Sequence, residues 1–220
     1  MNCIFDLDGT LLDTLDDLAA STNYALREFG LPERSRDEVR RFVGNGVRRL
    51  MQQAVPEGER DPRFEEVLAT FREHYLHHGM DNTRPYPGIM PMLAHLREEG
   101  HATAVVSNKF DAATKSLCAH YFGTLIDVAI GESERIRRKP APDTVIEAMR
   151  LLGAKKEQTI YIGDSDVDIA TAKACAIPCV SVLWGFRDRD FLLAHGATVF
   201  ISQPEEMVKM VSEVETIIRQ

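Results

Sequence analysis

Residues 2–10 read Asn-Cys-Ile-Phe-Asp-Leu-Asp-Gly-Thr and give the clearest indication of the fold. Its first four residues form a short apolar run of the kind that fills a buried parallel strand. Two carboxylates, Asp6 and Asp8, follow directly, and an extended chain would place both on the same face. Gly9 permits a tight turn, and Thr10 adds a hydroxyl. The stretch therefore predicts a buried strand that ends in a pair of acidic side chains.

Five further apolar runs of four to six residues have the same character, and each ends in polar or small residues. Segments with helical spacing lie between them, and two of these, 89–99 and 143–152, stop at a glycine. Strands that alternate with helices predict an α/β fold with a doubly wound, Rossmann-like parallel sheet. The runs are 102–106, 127–130, 159–162, 178–183 and 198–201. The predicted apolar face of helix 143–152 comprises Val145, Ile146, Met149 and Leu152.

Residues 15–80 differ from the rest, because they show helical patterns without a convincing strand. We therefore expect an inserted all-helical module at 15–82 and an α/β core formed by 1–14 and 83–220. Asp13, Asp16 and Asp17 stand at the expected start of the first inserted helix, where acidic residues complement the helix dipole. The two apolar stripes comprise Leu18, Tyr24, Ala25 and Phe29, and Phe64, Val67, Leu68, Phe71 and Tyr75.

The composition of the 220-residue chain limits its function. A net charge of −8 argues against a nucleic-acid or acidic membrane partner. No apolar run reaches the roughly 18 residues of a membrane span, and the amino terminus lacks the pattern of a secretory signal. We expect a cytoplasmic enzyme, as a monomer or a homodimer, whose four cysteines are buried thiols.

The polar residues that follow the predicted strands are expected to meet, because ligands of open α/β sheets bind beyond the carboxyl ends of the strands. Several carboxylates in one cleft repel each other unless a cation lies among them. Oxygen ligands of this kind suit Mg²⁺, which often also binds a substrate phosphate. The residues are Asp6 and Asp8, Ser107 and Asn108, Lys139, and Asp164, Asp166 and Asp168.

Four short motifs along the chain resemble the sequence motifs of one known protein superfamily. Asp6-Leu-Asp-Gly-Thr10 resembles the first motif of the haloacid dehalogenase superfamily in its phosphatase form. Val105-Val-Ser-Asn-Lys109 is similar to the second motif, Arg138-Lys-Pro-Ala-Pro142 to the third, and Gly163-Asp-Ser-Asp-Val-Asp168 to the fourth. One such motif would be only moderately specific, but all four occur in the family's order. The resemblance implies a Mg²⁺-dependent hydrolase that acts on a small phosphorylated metabolite.

The resemblance also implies roles for the acidic positions. Asp6 would attack phosphorus, form an aspartyl-phosphate and bind Mg²⁺. Asp8 would act as general acid and then as base, and would give its backbone carbonyl to the metal. Asp164 would be a metal ligand, and Asp168 would orient ligands from outside the metal's direct contacts.

The other motif positions would contact the transferred group. Ser107 would hold a phosphoryl oxygen, and Lys139 would neutralise charge on Asp6 and on the phosphoryl group. Thr10 and Asn108 are the expected further contacts to substrate. For Asn108 and Lys109, ordinary polar loop residues are an equally good interpretation.

The inserted segment resembles the helical cap of phosphoglycolate-phosphatase-like members, most closely at Gly44-Asn-Gly-Val-Arg48, and residues 182–186 resemble the same subgroup. Arg48 or Arg49 could bind a substrate carboxylate, since arginine matches carboxylate geometry. The resemblance makes 2-phosphoglycolate the first expected substrate. A pyrophosphatase or nucleotide phosphatase, a sugar phosphomutase and a non-enzymatic binding protein remain alternatives, although Thr10 favours hydrolysis over mutase chemistry and Asp8 disfavours dehalogenation.

Overall fold

The computed structural model describes residues 1–218, with side chains as far as residue 213. The first part of the chain contains β1 (Asn2–Phe5), β2 (Leu12–Asp13), α1 (Leu15–Glu28), α2 (Arg36–Phe42), α3 (Gly46–Ala54), α4 (Phe64–His78) and β3 (Arg84–Pro85). The remainder contains α5 (Ile89–Glu98), β4 (Ala102–Phe110), α6 (Asp111–Tyr121), β5 (Val128–Glu132), α7 (Asp143–Leu152), β6 (Thr159–Gly163), α8 (Asp166–Cys175), β7 (Cys179–Val182), α9 (Arg189–Ala194), β8 (Val199–Ile201) and α10 (Glu205–Ile218).

The main sheet has six strands in the order β5-β4-β1-β6-β7-β8, and each neighbouring pair is parallel. From β1 the chain adds strands on one side through β4 and β5, and then returns to the other side of β1 through β6. The predicted doubly wound α/β fold is therefore confirmed. The reversal of strand order between β1 and β6 creates a switch point, where open sheets of this type bind ligands.

Short apolar strands pack against helices to form the core of this unit. Ile4 of β1, Ala104 of β4 and Tyr161 of β6 are buried in one cluster with residues of α7 and α8, including Val145 and Ala172. Strands with few polar side chains are buried on both faces by such helices, which is why they lack strict alternation.

Two sequence predictions for this unit differ from the structure. Ile146 was expected on the buried face of α7, but it is 53% exposed, because each residue turns about 100° around the helix and Ile146 falls beside the stripe centred on Val145 and Ala148. Strand β4 continues to Phe110 rather than ending at Val106, and its register with β5 shifts between these two residues. Ser107, Asn108 and Lys109 therefore lie inside an irregular strand.

The described chain divides into two compact units, one formed by Met1–Leu11 with the residues from Pro85 onward and the other by Leu12–Arg84. The second unit contains α1 to α4, and the short strands β2 and β3 pair where the chain enters and leaves it. Its core includes Leu26, Met51 and Phe71. A capping box of Ser35 and Glu38 fixes the start of α2.

Asp17 lies in the first turn of α1, where the sequence predicts a complement to the helix dipole, and it also has a second role. It is 1% exposed, and its carboxylate accepts hydrogen bonds from the backbone and side-chain amides of Asn82 and from the backbone N–H of Thr83, at 2.8 to 3.0 Å. Asp17 thus joins the first helix of the unit to the segment that ends it. Among the described helices, none combines the length and apolar character that a membrane crossing requires.

Candidate active site

The switch point brings two acidic loops together. β1 ends at Phe5, so Asp6 and Asp8 lie in the loop that follows the strand rather than on its face. The backbone N–H of Asp6 donates to the carbonyl of Ile162 in β6 at 2.8 Å. Asp164 follows β6 directly. The pairing of β1 with β6 therefore places Asp6 and Asp164 at the same edge of the sheet.

Asp6 is buried and paired with a buried lysine. The Nζ of Lys139 lies 2.8 Å from Oδ1 of Asp6, and the backbone N–H of Leu7 donates to the same oxygen at 2.7 Å. The amide of Asn108 donates to the carbonyl oxygen of Lys139 at 3.0 Å and so holds the lysine's loop. Residues far apart in sequence thereby fix the orientation of one carboxylate.

Lys139 also belongs to a second, fully buried network. Its Nζ lies 2.8 Å from Oδ1 of Asp168 and donates to the hydroxyl of Tyr161 at 2.9 Å, and this hydroxyl donates to Asp168 Oδ1 at 2.9 Å. The other oxygen of Asp168 accepts from the N–H and hydroxyl of Ser165 at 3.1 and 2.6 Å. Both oxygens of Asp168 are therefore engaged by the protein, which suits a residue that positions Lys139.

Hydrogen bonds hold the carboxylate of Asp164, and two neighbouring glycines leave the space that it occupies. Phe186 N–H donates to its Oδ2 at 2.7 Å, and the Thr10 hydroxyl donates to its Oδ1 at 3.2 Å. A Cβ at Gly9, which has φ +87°, would lie 2.4 Å from Oδ2 of Asp164, and one at Gly185 would lie 2.3 Å from its Cβ. Only glycine allows the backbone to approach this carboxylate so closely.

The pKa values of the buried acidic residues and of Lys139 are shifted by burial and by their mutual charges. Burial raises the pKa of Asp6 well above its ordinary value, and Asp168 adds to the effect while Lys139 opposes it. Burial and the charge of Asp168 raise the pKa of Asp164 to about 7. Burial alone would lower the pKa of Lys139, but Asp168 and Asp6 together raise it above its ordinary value. Lys139 therefore stays protonated, whereas the buried carboxylates repel one another when they are ionised.

The donor set fits a divalent cation. Oxygens of Asp6, Asp164 and Asp168 lie within 4.8 Å of one another and are all buried. Lys139 and Arg187 oppose the rise in the pKa values of these carboxylates without cancelling it, and hard oxygen donors are the ligands that Mg²⁺ prefers. The predicted magnesium ligands Asp6 and Asp164 thus come together. The predicted contribution of Asp8 through its backbone carbonyl stays a prediction.

Asp8 has a separate ionic partner. The Nζ of Lys109 lies 3.2 Å from Oδ1 of Asp8. Lys109 N–H donates to the hydroxyl of Ser107 at 3.1 Å, and Ser107 is itself buried. The predicted residues of the first, second and third motifs therefore form one continuous group.

Arg48 belongs to the unit Leu12–Arg84. Its guanidinium pairs with Glu59 and Glu65, each at 2.7 Å, and its side chain is 44% exposed. It also lies over the ring of Phe64, 5.1 Å from the ring centre. The predicted contact of Arg48 with a substrate carboxylate stays a prediction.

Sequence reasoning missed several residues that shape the site. Tyr161 was assigned only to a strand, although its hydroxyl bridges Lys139 and Asp168. The segment around Trp184 was noted only for its similarity to a subgroup, yet Trp184 Nε1 donates to the carbonyl of Thr10 at 2.9 Å. A tyrosine in an otherwise apolar strand, just before an acidic loop, is the one signal that could have pointed to Tyr161.

The fold and the site together define a doubly wound α/β protein with an acidic, lysine-containing centre at the switch point of its sheet. The sequence model of the haloacid dehalogenase-like hydrolase family matches residues 3–182. The chain belongs to this family.

Individual relatives cover nearly the whole chain. It is 33% identical over 212 residues to a phosphoglycolate phosphatase of Aquifex aeolicus, with 94% of each chain covered. It is 36% identical over 190 residues to a phosphoglycolate phosphatase of Mesorhizobium japonicum, with 84% of each covered. A crystal structure from Lactobacillus delbrueckii subsp. bulgaricus, assigned as a phosphoglycolate phosphatase, has a TM-score of 0.91 at 34% identity and covers 96% of this chain and 97% of its own.

Proposed function

We propose that this protein hydrolyses the phosphomonoester of a small metabolite, that Asp6 is its nucleophile, and that 2-phosphoglycolate is its first substrate. The observation that carries the proposal is the buried pair of Asp6 and Lys139 at the switch point, 2.8 Å apart. A carboxylate held in one orientation beside a permanent cation is suited to attack a charged phosphoryl group.

The proposed reaction has two balanced steps. In the first, an oxygen of Asp6 forms a bond to phosphorus while the bond to the ester oxygen breaks, and that oxygen takes the broken bond's electron pair and a proton from Asp8. In the second, water attacks phosphorus and gives its proton to Asp8, and the bond between phosphorus and Asp6 breaks. The products are an alcohol and inorganic phosphate, and both aspartates return to their starting state.

The remaining motif residues would position the reacting groups and neutralise their negative charge. Lys139 would neutralise charge on Asp6 and on the phosphoryl oxygens, held in place by Asp168 and Tyr161. The hydroxyl of Ser107 would donate to a phosphoryl oxygen. A magnesium ion held by Asp6, Asp164 and the carbonyl of Asp8 would supply positive charge against the transferred group. Preorganised charge of this kind is the main source of catalysis in phosphoryl transfer.

The choice of 2-phosphoglycolate is supported by the names of the relatives, because several proteins at 28–36% identity are phosphoglycolate phosphatases. The unit Leu12–Arg84 is the proposed cap, and Arg48 is its candidate for the substrate carboxylate. Arg48 would have to exchange its pairs with Glu59 and Glu65 for that contact. A cytoplasmic location and a monomeric or homodimeric state remain predictions.

The nucleophile is tested with Asp6→Asn and 4-nitrophenyl phosphate in the presence of Mg²⁺. We expect kcat to fall by about 10³-fold or more, since removal of a nucleophile has effects of this size. Asp16→Asn is the matched control, because Asp16 lies on the surface of α1 and pairs with Arg36; it should retain wild-type activity. Full activity in Asp6→Asn would refute the mechanism.

The substrate is tested separately, by comparing kcat/KM over a panel of 2-phosphoglycolate, pyrophosphate, nucleoside monophosphates and sugar phosphates. We expect the highest value for 2-phosphoglycolate. A higher value for pyrophosphate or a nucleotide would change the substrate and leave the role of Asp6 intact. Loss of turnover in EDTA, with recovery on addition of Mg²⁺, tests the metal.

A further inference from the structure

Lys109 is a buried lysine that the two proposed steps do not use. Its side chain is 2% exposed, and its Nζ lies 3.2 Å from Oδ1 of Asp8. Removal of an ammonium group from water is unfavourable unless a partner compensates it. A lysine that served only as a polar loop residue would reach solvent with its long side chain. The burial of Lys109 against Asp8 therefore calls for an explanation.

The backbone around Lys109 is fixed on both sides. Its N–H donates to the hydroxyl of Ser107 at 3.1 Å, and its carbonyl accepts from the hydroxyl of Thr114 at 3.2 Å. The residue lies in β4 between Val106 and Phe110, where the register with β5 shifts. Such an irregularity redirects a side chain away from the regular alternation of the strand. The strand is thus shaped to deliver this ammonium group to Asp8.

We propose that Lys109 is a positioning residue for Asp8, an inference that rests on the proposed function of Asp8 in proton transfer. The ammonium group of Lys109, 3.2 Å from Oδ1, repels a proton from this oxygen and attracts its lone pairs, so the proton of the carboxylic acid is carried on Oδ2 and points away from Lys109. Proton transfer to the ester oxygen requires hydrogen-bond reach and alignment. Lys109 supplies this alignment without touching the reacting atoms.

The inference has a specific kinetic consequence. In the first step, the bond from phosphorus to the ester oxygen breaks, and this oxygen takes the proton of Asp8. A leaving group that is a strong acid, such as 2,4-dinitrophenol, departs as an anion and needs no proton. A weakly acidic leaving group such as phenol depends on the proton. Misalignment of Asp8 should therefore harm phenyl phosphate far more than 2,4-dinitrophenyl phosphate.

The experiment measures kcat/KM for both aryl phosphates, because this constant reports the steps up to transfer of the phosphoryl group. In Lys109→Met we expect the ratio of phenyl to 2,4-dinitrophenyl phosphate to fall by at least about 10-fold, since general acid catalysis is worth 10²- to 10⁴-fold. Lys115→Met is the matched control, because Lys115 is exposed and pairs with Asp111 on the surface of α6. Lys109→Arg should recover part of the ratio.

A double-mutant comparison separates positioning from a structural role. In the Asp8→Asn background, Lys109→Met should change the ratio by less than about 2-fold, because no proton donor remains to be aligned. Equal losses for both substrates, or a ratio equal to that of the wild-type protein, would overturn the inference.

Two further comparisons address a variant that does not fold and a failure of the proposed function itself. If Lys109→Met does not fold by circular dichroism, the same ratio measured in Lys109→Arg and Lys109→Gln decides the question. Failure of the proposed function looks different: the wild-type protein would then hydrolyse neither ester, or Asp6→Asn would remain active. Neither aryl ester depends on the identity of the natural substrate.

Discussion

Asp17 in the unit Leu12–Arg84 and Asp6 in the unit that contains the sheet are both buried carboxylates, but their surroundings differ. Asp17 accepts hydrogen bonds from amide groups of Asn82 and Thr83, which are neutral donors from its own unit. Asp6 lies among the carboxylates Asp164 and Asp168 with Lys139 beside it. Donors satisfy the first carboxylate, whereas burial and, after it, like charges raise the pKa of the second.

The difference separates a carboxylate that the fold satisfies from one that is proposed to act in catalysis. A buried charge with enough hydrogen-bond donors stabilises the fold around it. A buried charge beside like charges destabilises the fold unless a ligand compensates, and such groups cluster at functional sites. The same residue type at similar burial thus has opposite consequences for stability, and this contrast can be measured.

The largest expected effect on stability is that of Asp17→Asn, measured against the same substitution at Asp6 in the other unit. Asp17→Asn should lower the free energy of unfolding by about 2–3 kcal/mol, because charge-assisted hydrogen bonds are lost and an amide donor faces other donors. Asp6→Asn in metal-free buffer should leave the free energy no lower than that of the wild-type protein, since a repelling charge is removed. Urea unfolding monitored by circular dichroism compares the two. A loss in Asp6→Asn as large as that in Asp17→Asn would remove the contrast.

The second prediction compares two glycines with positive φ, one in each unit. A Cβ at Gly9 would collide with the carboxylate of Asp164, whereas one at Gly30, with φ +64°, has no neighbour within 4 Å. Gly30→Ala should cost about 1 kcal/mol of stability, from backbone strain alone. Gly9→Ala should in addition lower kcat/KM for 4-nitrophenyl phosphate by about 100-fold, as misplaced catalytic groups do. Equal activity of the two variants would show that the position of Asp164 is unimportant.

The third prediction concerns pH. Because the folded-state pKa of Asp164 is about 7 and the ordinary value is 3.8, folding of the metal-free protein favours the protonated form. Stability from this group is greatest in acid and is lost as pH rises from about 4 through 7. Mg²⁺ binds the carboxylate form, so the increase in Tm caused by Mg²⁺ should be larger at pH 8 than at pH 5.5. Asp164→Asn should reduce this difference, and the part that remains belongs to Asp6, whose pKa burial also raises.

The other unit should respond to pH in the opposite direction. Hydrogen bonds from Arg48 lower the pKa of Glu65, and those from Ser35 lower the pKa of Glu38. The stability from these groups is present above their ordinary pKa of 4.5 and is lost in acid. Amide hydrogen exchange between pH 4 and 7 in EDTA should show relative protection increasing with pH in α2 and α4 and decreasing around β6. A common trend in both units would contradict the comparison.

The smallest expected effect is on the stability of Arg48→Ala. Its pairs with Glu59 and Glu65 are exposed to solvent, and exposed pairs contribute about 0–1 kcal/mol. The proposed contact with a carboxylate predicts instead a selective loss of kcat/KM for 2-phosphoglycolate over phenyl phosphate, which lacks that group. Arg27→Ala serves as the matched control, because Arg27 is likewise exposed and pairs with Glu33 in the same unit. Equal kinetics for the two substrates in Arg48→Ala would remove Arg48 from the proposed site.

The sequence predicted the strands well where apolar runs were short and ended in a polar group, as at β1 and β6. It predicted β4 less well, because Ser107, Asn108 and Lys109 are polar residues that continue an irregular strand. It also placed Ile146 on the buried face of α7. The helical pattern does not reveal whether a neighbouring element covers an apolar residue at the edge of the stripe. Both errors concern residues whose environment depends on a neighbouring element.

The residues of the site were found for a different reason. Asp6, Lys139 and Asp164 lie in motifs that end strands, and in a parallel sheet the ends of strands meet. Tyr161, Gly185 and Phe186 were not identified, because a buried hydroxyl, a close backbone approach and a backbone N–H leave little trace in sequence. Asp17 was interpreted as a dipole complement, since its partners lie 65 and 66 residues away.

The local patterns of this protein can be recognised in its sequence: the apolar runs, the polar residues that end them, the helical patterns of residues 15–80 and the motifs of the family. These follow from backbone geometry and side-chain periodicity, which act over a few residues. Folding establishes which carboxylate pairs with Lys139, which one lies beside Lys109, and which one the amides of Asn82 and Thr83 satisfy. These are pairings across long stretches of chain, and the charge, burial and pKa of each group depend on the partner that folding brings to it.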